Sequence, residues 1–369
     1  MTPPDRSRQR VLLVSDSLGG FSAPAASALM RYLVSREVRA DVTEVDFFEQ
    51  YLPGIAVLAR LSYTQDAQFI PQLSGTLEAA SAGFSESPVV QALMHGGIGH
   101  IGSEIGRGGY DLVVVTSPVG AAAICEVPRT QRPPVVAVLP AFSVKGTWIH
   151  PGCDLYFVAT KEVREDLVMA GIPYTRIVVS GIPSEVTQRQ SSRAEFRKRA
   201  GVVDRFTVVL GGAGHSSADV RFIAATLARH GIQVVAVPGR EARVVRQLHR
   251  LAESNALLHV IESREESRAV LLADVVLARA GGQVLLEAVC GGVPSIIYNP
   301  VASQESANVD FLVNAGTSLL SRDDDDSVEK VRFLSGHPDR LAQMTEATCS
   351  VGRNNVSKLV TDRLAAFAQ

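Results

Sequence analysis

Residues 274–308 of the chain read DVVLARAGGQVLLEAVCGGVPSIIYNPVASQESAN. A short apolar run is followed by two glycines, then by apolar residues at helical spacing, and a second glycine pair ends the helical pattern. Another short apolar run follows at once, which is typical of parallel strands joined by helices. The pattern predicts, in order, a strand from Val275 to Ala278, a turn at Gly281 and Gly282, a helix from Gln283 to Cys290 and a strand from Ser295 to Tyr298.

The predicted turn and helix have the form of an anion site. In such a unit the helix begins at the carboxyl edge of the sheet, where its first N–H groups and its dipole favour a phosphate. Glu287 lies one turn into the helix, so its side chain is able to reach past a phosphate bound there. The alternative interpretation is an ordinary Rossmann-type unit with a solvated glutamate and a polar loop.

The same block resembles the donor site of family 28 glycosyltransferases. The resemblance is closest to the monogalactosyldiacylglycerol synthases and processive diacylglycerol glucosyltransferases, and MurG is similar at a greater distance. Because the residues match over some thirty positions without a gap, the match is more specific than a single glycine motif. The residues that carry it are Arg279, Ala280, Gly281, Gly282, Glu287, Gly292, Val293, Pro294, Gln304, Glu305 and Asn308.

The resemblance implies both a fold and a donor site. The fold is α/β and of the GT-B type, with two Rossmann-like, doubly wound domains facing a central cleft. The acceptor is expected on the N-terminal domain and a UDP-sugar on the C-terminal one. In the donor site, the helix start at Gly281, Gly282 and Gln283 would hold the diphosphate, Glu287 the ribose diol, and Gln304 and Glu305 the sugar hydroxyls.

Length and composition agree with two domains. The 369 residues are more than one ordinary core holds, and 36 basic against 38 acidic side chains leave a formal charge of −2, which does not favour a nucleic-acid partner. No apolar run is long enough to span a bilayer, and the N-terminus does not resemble a signal peptide. We therefore expect a cytoplasmic protein and leave peripheral contact with the cytoplasmic membrane face open.

The chain has four cysteines, which are expected to be reduced and structural, without a metal: Cys125, Cys153, Cys290 and Cys349.

The first loop of the chain follows a predicted strand from Val11 to Val14 and precedes a predicted helix. It resembles the family pattern Ser-Asp-x-Gly-Gly-Gly-His, which lies on the acceptor side and carries a histidine tied to catalysis. Here Leu18 replaces the middle glycine and Phe21 replaces the histidine. The resemblance places Gly19, Gly20, Phe21 and Ser22 on the acceptor side.

Residues 47–72 are apolar and irregular in spacing. In the lipid-modifying relatives this insertion helps to form the acceptor and membrane-facing part of the domain. A helix pair that packs on the sheet explains the pattern equally well, because core helices and interfacial helices share the same periodicity. The few flanking basic residues argue against strong attraction to anionic lipid.

The remainder of the N-terminal domain continues the alternation of strands and helices. The segment from Thr147 to His150 resembles a Thr-Trp-Phe-His segment of plant galactolipid synthases, whereas the family's Thr-Asp pair falls on Pro140 and Ala141. The aspartate of that pair, a candidate catalytic acid, is therefore replaced by Ala141 in this chain. We expect an acceptor domain at 1–185, a linker at 186–205, a nucleotide-sugar domain at 206–350, and a helix at 351–369 that returns to the first domain.

The C-terminal domain carries a second glycine loop, from Gly211 to Ser217, between a predicted strand and a predicted helix. Small residues let backbone N–H groups approach a phosphate, so this loop is expected to form a second wall of the donor site. Four successive acids, Asp323 to Asp326, are interpreted as a solvated turn and not as a metal site. Further expected donor contacts are Gly212, Gly214, His215, Gly239, Arg240 and Glu262, the last of which departs from the apolar family residue at the uracil.

These features predict an inverting transfer of a hexose from a UDP-sugar to a hydroxyl of a lipid or hydrophobic acceptor, with no bound metal. Such a transfer needs a base near the acceptor hydroxyl, and the candidates are Asp16, Glu126 and His150. Two alternatives stay open. In the first, the acceptor is a natural-product intermediate and not a lipid. In the second, the chain is a catalytically silent GT-B protein that binds a nucleotide or a partner enzyme. Oligomeric state is not predicted.

Overall fold

The computed structural model describes residues 9–16, 21–35, 40–53, 56, 99–144, 149–186, 196–198, 201–211, 217–238, 242–261, 266–298 and 303–352. The chain divides into two compact units, the first at Met1–Pro183 and the second at Ser184–Asn354. Each unit is built on a parallel sheet of six strands. All but the first two residues of the predicted returning helix, 351–369, lie outside the described residues.

The first unit has the strand order β2-β1-β3-β4-β5-β6. Its inner strands β3, β4 and β5 are apolar and buried because helices cover both faces of the sheet, whereas the edge strand β2 is largely polar. Along β1, Leu12 and Val14 pack into one core, while Val11 and Leu13 pack into the core on the other face. The strands are β1 Arg10–Ser15, β2 Asp41–Asp46, β3 Leu112–Val115, β4 Val135–Leu139, β5 Leu155–Val158 and β6 Ile177–Val179.

The helices of the first unit follow the strands as the sequence predicts. On α1, Ala26, Leu29 and Leu33 are buried on the face that packs against the sheet. Residues 99–108 are also helical. The helices are α1 Ser22–Leu33, α2 Phe47–Tyr51, α3 Pro118–Glu126 and α4 Lys161–Met169, with short 3-10 turns at Arg129–Gln131 and Tyr174–Arg176.

The start of the apolar insertion packs into the core. Phe47, Phe48 and Tyr51 are buried on α2, with the rings of Phe47 and Phe48 in edge contact at 5.6 Å between centroids. The helix begins because the Asp46 carboxylate accepts hydrogen bonds from the N–H groups of Phe48 and Glu49. For these residues the core-helix interpretation holds; residues 57–72 lie outside the described part of the chain.

The second unit has the strand order β12-β11-β10-β7-β8-β9. Counted within the unit this is the order 6-5-4-1-2-3 of dinucleotide-binding sheets, with its switch point between β7 and β10. The predicted α/β class with two doubly wound domains is confirmed. The strands are β7 Thr207–Gly211, β8 Gln233–Val237, β9 Leu258–Val260, β10 Val275–Arg279, β11 Ser295–Tyr298 and β12 Ser318–Ser321.

The helices of the second unit alternate with these strands. Residues 275–298 fold as predicted, because β10, the turn, one helix and β11 follow in that order, and β10 pairs with β11 in parallel. The helices are α5 Ser217–Arg229, α6 Ala242–Glu253, α7 Glu266–Ala269, α8 Gln283–Gly291, α9 Ser303–Asn314, α10 Asp324–Gly336 and α11 Pro338–Val351, with a 3-10 turn at Val270–Leu272.

The prediction of a solvated turn at Asp323–Asp326 is wrong, because these acids begin α10. Asp323 is the N-cap residue, and its carboxylate accepts a hydrogen bond of 2.8 Å from the Asp326 N–H. The other acids lie in the first turn, where the positive end of the helix dipole favours negative charge. The pKa of Asp326 is lowered to about 2, chiefly by its hydrogen bond from Lys330.

Candidate active site

The carboxyl ends of β7 and β10 form the switch point of the second sheet, where ligands bind in sheets of this order. Three neighbouring strands end there, at Gly211 on β7, Arg279 on β10 and Tyr298 on β11. The buried Tyr298 hydroxyl donates a 3.0 Å hydrogen bond to the Gly211 carbonyl, across the strand between them. Burial raises the pKa of Tyr298. The hydroxyl therefore stays protonated and ties the end of β7 to the end of β11.

The N-terminus of α8 opens at this edge without a capping side chain. Gly281 has φ of +73°, a left-handed conformation that favours glycine, and Gly282 is the N-cap residue. The first backbone hydrogen bond inside the helix runs from Leu286 N to Gly282 O at 3.2 Å. The N–H groups of the residues between them, beginning with Gln283, therefore point out of the helix end, as a diphosphate site requires.

Glu287 lies one turn into α8 and is 1% exposed. The backbone N–H of Val186 donates to one carboxylate oxygen at 2.9 Å, and the N–H of Glu185 donates to the other at 3.3 Å. The Ser184 hydroxyl donates to the same oxygen as Val186. Burial raises the pKa of the Glu287 carboxyl to about 7, although these hydrogen bonds oppose the rise. The carboxyl thus faces the chain segment that opens the second unit.

Several predicted donor residues cannot be placed in this geometry. Gln304 and Glu305 lie in the first turn of α9, with side chains outside the described part of the chain. Their role, like the ribose contact of Glu287, stays a prediction. The remaining ones lie wholly outside the described residues: Gly212, Gly214, His215, Gly239, Arg240 and Glu262.

The first sheet has its own switch point, between β1 and β3. Asp16 directly follows β1 and is buried, and its N–H donates to the Ser22 hydroxyl at 3.1 Å. The Ser22 hydroxyl also lies 3.2 Å from that of Thr116, which directly follows β3. Ser117 caps α3 through a 3.0 Å bond from Gly120 N. The structure therefore brings Asp16 and Ser22 together with Thr116 at the carboxyl edge of the first sheet.

Phe21, at the family's histidine position, is 1% exposed. Its ring lies edge-on to Phe142, with 6.3 Å between the ring centroids. Ala141, at the family's aspartate position, precedes Phe142 in the chain and is also buried. The two positions that the resemblance ties to catalysis thus carry buried apolar side chains in this chain. Gly19 and Gly20 lie outside the described residues.

Glu126 and His150 lie at the opposite edge of the first sheet. Glu126 is the last residue of α3, which starts at the carboxyl edge and runs back along the sheet for about 12 Å, at 1.5 Å per residue. His150 precedes β5, and its carbonyl accepts a 2.6 Å hydrogen bond from the Tyr156 hydroxyl near the start of that strand. Among the three candidate bases, Asp16 is the one that lies at the carboxyl edge of the first sheet, at its switch point.

Sequence reasoning did not identify Thr116, Ser117, Tyr298 or the Ser184–Val186 segment as part of these sites. The pair Thr116-Ser117 carried a usable signal, since two hydroxyl residues directly after a buried strand fall at the carboxyl edge. Ser184 carried no such signal, because its contact with Glu287 joins residues 103 positions apart.

Among the described residues no group of three or more histidine, cysteine or acidic side chains is arranged to hold a metal ion. Within the same residues no helix is both long and apolar enough to cross a membrane.

The family model of monogalactosyldiacylglycerol (MGDG) synthase matches residues 23–184. The chain is 28% identical over 260 residues to a processive diacylglycerol beta-glucosyltransferase of Bacillus cytotoxicus, over 68% of this chain and 66% of that protein. It is 30% identical over 264 residues to the protein of the same name from Bacillus mycoides, over 69% of this chain and 68% of that protein. The chain thus spans about two thirds of the length of these relatives.

Among solved structures, MurG of Acinetobacter baumannii is similar over 97% of this chain and 99% of that chain, with a TM-score of 0.60 and 13% identity. At that identity the likeness concerns the fold, which is GT-B. The sequence relatives, the switch-point sites and the uncapped helix of the second sheet agree with one another. The chain belongs to the family 28 glycosyltransferases of GT-B fold, in the branch of the processive diacylglycerol glucosyltransferases and monogalactosyldiacylglycerol synthases.

Proposed function

We propose that the protein transfers a hexose from a UDP-sugar to a hydroxyl group of a glycerolipid, with inversion at the sugar carbon. The observation that carries the proposal is the N-terminus of α8, which opens uncapped at the switch point of the second sheet behind the left-handed Gly281. Its N–H groups and dipole would hold the diphosphate. The 30% identity to a diacylglycerol glucosyltransferase supports the acceptor class.

The leaving group is stabilised in this proposal by the backbone. As the bond between sugar and phosphate breaks, negative charge grows on the departing diphosphate, next to the N–H groups that begin with Gln283. Donors that are already aimed at this charge need not reorganise during the reaction, and removal of one such donor typically costs a factor of about 10² to 10³ in rate. Because the charge is met in this way, the transfer requires no metal ion.

Asp16 acts as the base in the proposed reaction. It lies at the switch point of the first sheet, where the Ser22 hydroxyl accepts a hydrogen bond from its backbone N–H and is itself held by the Thr116 hydroxyl. Removal of the acceptor proton by a positioned carboxylate contributes about 10²- to 10⁴-fold to such a reaction. The match of the MGDG synthase family model to residues 23–184, all but the last of them in the first unit, supports a glycerolipid as the acceptor.

Ligand-induced stabilisation tests the donor assignment. UDP should raise the melting temperature of the full chain, because a ligand that binds only the folded state stabilises it. Glu287→Ala should reduce that rise, since it removes the proposed ribose contact, whereas an exposed control, Glu253→Ala, should keep it. The donor assignment fails if GDP or dTDP protects as well as UDP while Glu287→Ala changes nothing.

A second candidate function is supported by one observation. Phe21 and Ala141 replace the catalytic residues of the family and are buried, with Phe21 packed on Phe142. A chain with this packing is suited to bind a UDP-sugar without transferring it, as a silent partner of another enzyme. This candidate is preferred if UDP protects the protein, no lipid acceptor supports turnover, and Phe21→His creates activity.

A further inference from the structure

Two cysteines that are 28 positions apart in the sequence meet in the first unit. Cys125 is the penultimate residue of α3, and Cys153 lies two residues before β5. Their Sγ atoms are 3.4 Å apart, and both are free thiols. The two thiols are thus in contact although the wide spacing of the cysteines shows no paired motif. The sequence does not reveal this contact, because only the fold brings the end of α3 next to the chain that leads into β5.

The chain segments that carry Cys125 and Cys153 pack closely against each other and are held by hydrogen bonds. A Cβ atom added to Gly152 would lie 2.9 Å from the Cys125 Cβ and 3.0 Å from its Sγ, so only glycine lets the two segments approach this closely. The buried Arg132 side chain donates to the carbonyls of Val127 and Gly152, at 3.0 and 2.8 Å. One guanidinium thus holds the chain after Cys125 to the chain before Cys153.

The two thiols differ in exposure and acidity. Cys125 is half-buried, and its pKa is lowered by the hydrogen bond from Cys153 and by the positive charges of Arg132 and Arg129. Cys153 is fully buried, and its hydrogen bond to Cys125 and its burial raise its pKa. The thiolate is the reactive form, so Cys125 is the attacking thiol and Cys153 the one that acts second.

We propose that Cys125 and Cys153 form a dithiol site that a low-molecular-weight disulfide, such as glutathione disulfide, converts to a Cys125–Cys153 disulfide bond. The sulfur atoms need to move about 1.4 Å closer to reach the bond length of about 2.05 Å. This inference does not depend on the proposed transfer reaction, because it rests on the contact between the two thiols alone.

The exchange proceeds in two balanced steps. The Cys125 thiolate attacks one sulfur of glutathione disulfide, a mixed disulfide forms, and one glutathione thiolate leaves. Cys153 then loses its proton to solvent, and its thiolate attacks the Cys125 sulfur and expels the second glutathione thiolate. In total the two cysteines lose two electrons and two protons, and one glutathione disulfide is reduced to two molecules of glutathione.

The bridge would join the two segments that carry Glu126 and His150, at the amino edge of the first sheet. The switch-point residues Asp16, Ser22 and Thr116 lie at the other edge. Donor binding belongs to the second unit, so the rise in melting temperature with UDP should be the same in the reduced and bridged forms. A bridge that forms while UDP fails to protect therefore counts against the proposed function and not against the dithiol site.

Peptide mapping tests the proposal on the full chain. The reduced protein is incubated with glutathione disulfide, quenched with acid, alkylated under denaturing conditions and digested for mass spectrometry. The wild type should give one peptide pair linked through Cys125 and Cys153, whereas Cys153→Ser should accumulate glutathione on Cys125. The half-buried Cys349 offers a matched control, and Cys349→Ser should leave the bridge intact.

The peptide map of the wild-type protein tests the proposed disulfide bond even if a variant folds poorly. The proposal is overturned if Cys125 and Cys153 both remain alkylated at saturating glutathione disulfide. It is also overturned if the wild type stops at a mixed disulfide on Cys125, since a Cys153 thiol in contact would resolve it. A bridge to Cys290 or Cys349 in place of Cys153 contradicts it equally.

Discussion

The Glu287 carboxyl is buried within the second unit, and burial raises its pKa from 4.5 to about 7. In the unfolded chain the carboxyl ionises near its ordinary value, so between these two pH values the folded state binds more protons than the unfolded state. The stability that this group contributes is therefore fully present below pH 4.5 and is lost as the pH rises to about 7. The loss amounts to about 3 kcal/mol in total, at 1.36 kcal/mol per pKa unit.

Glu287→Gln should remove this dependence, because the amide does not ionise. We expect the free energy of unfolding of the variant, measured relative to the wild type by urea denaturation, to increase by about 3 kcal/mol between pH 4.5 and pH 8. An exposed control, Glu253→Gln, should follow the wild type at both pH values. Parallel curves for Glu287→Gln and the wild type would show that the carboxyl is not buried as described.

Ser184 controls the charge of the same carboxyl. Its hydroxyl donates to Glu287, and hydrogen bonds to the ionised form lower the pKa. Ser184→Ala should therefore raise the pKa of Glu287. If the ionised carboxyl accepts the ribose hydroxyls, UDP protection falls as the pH falls through about 7, and the midpoint of that fall should move to higher pH in the variant. Ser184→Thr keeps the hydroxyl and should restore the wild-type midpoint; an unchanged midpoint in Ser184→Ala would rule out this role.

The turn between β10 and α8 is the element on which the donor site depends. Gly281 has φ of +73°, whereas Gly282 has φ of −80°, which every residue adopts. A Cβ atom on Gly282 would meet the Arg279 carbonyl at 3.6 Å, an ordinary contact. The two adjacent glycines thus differ in a way that substitution can measure.

Gly281→Ala should destabilise the protein by about 1–2 kcal/mol, the cost of a left-handed conformation in an L-residue. Gly282→Ala should change the free energy of unfolding by less than about 0.5 kcal/mol, as for substitutions that disturb no contact. Urea denaturation of both variants measures the difference. Equal stabilities would contradict the turn conformation, and with it the direction in which the N–H groups of α8 point.

Much of the molecule follows from sequence patterns that act over short distances. Most strands of both sheets and α8 were predictable because short apolar runs alternate with amphipathic helices and glycine turns, whereas β6 and β12 were not predicted. The start of α10 at Asp323 was missed because the acidic run was judged by charge, while its capping hydrogen bond decides its conformation. Local pattern therefore gives the elements, and less often their exact ends.

The sites were predictable only where they lie on one continuous stretch. The part of the proposed donor site at the start of α8 was predictable, since Gly281, Gly282 and Glu287 are close in sequence. The partners of Glu287, the ring that packs on Phe21 and the Cys125–Cys153 contact each depend on chain segments that only the fold brings together. Glu126 and His150 became candidates by residue type, and sheet topology places them away from the ligand edge.

Glycolipid formation tests the whole account. The protein is given a UDP-hexose labelled in the sugar and diacylglycerol in mixed micelles, with EDTA present, and labelled lipid is measured. The account predicts product with the wild type and a kcat lower by about 100-fold or more for Asp16→Asn, with UDP protection unchanged. Glu126→Gln, at the other edge of the sheet, should match the wild type. No labelled lipid from a wild type that UDP protects, or an undiminished rate for Asp16→Asn, would contradict the account.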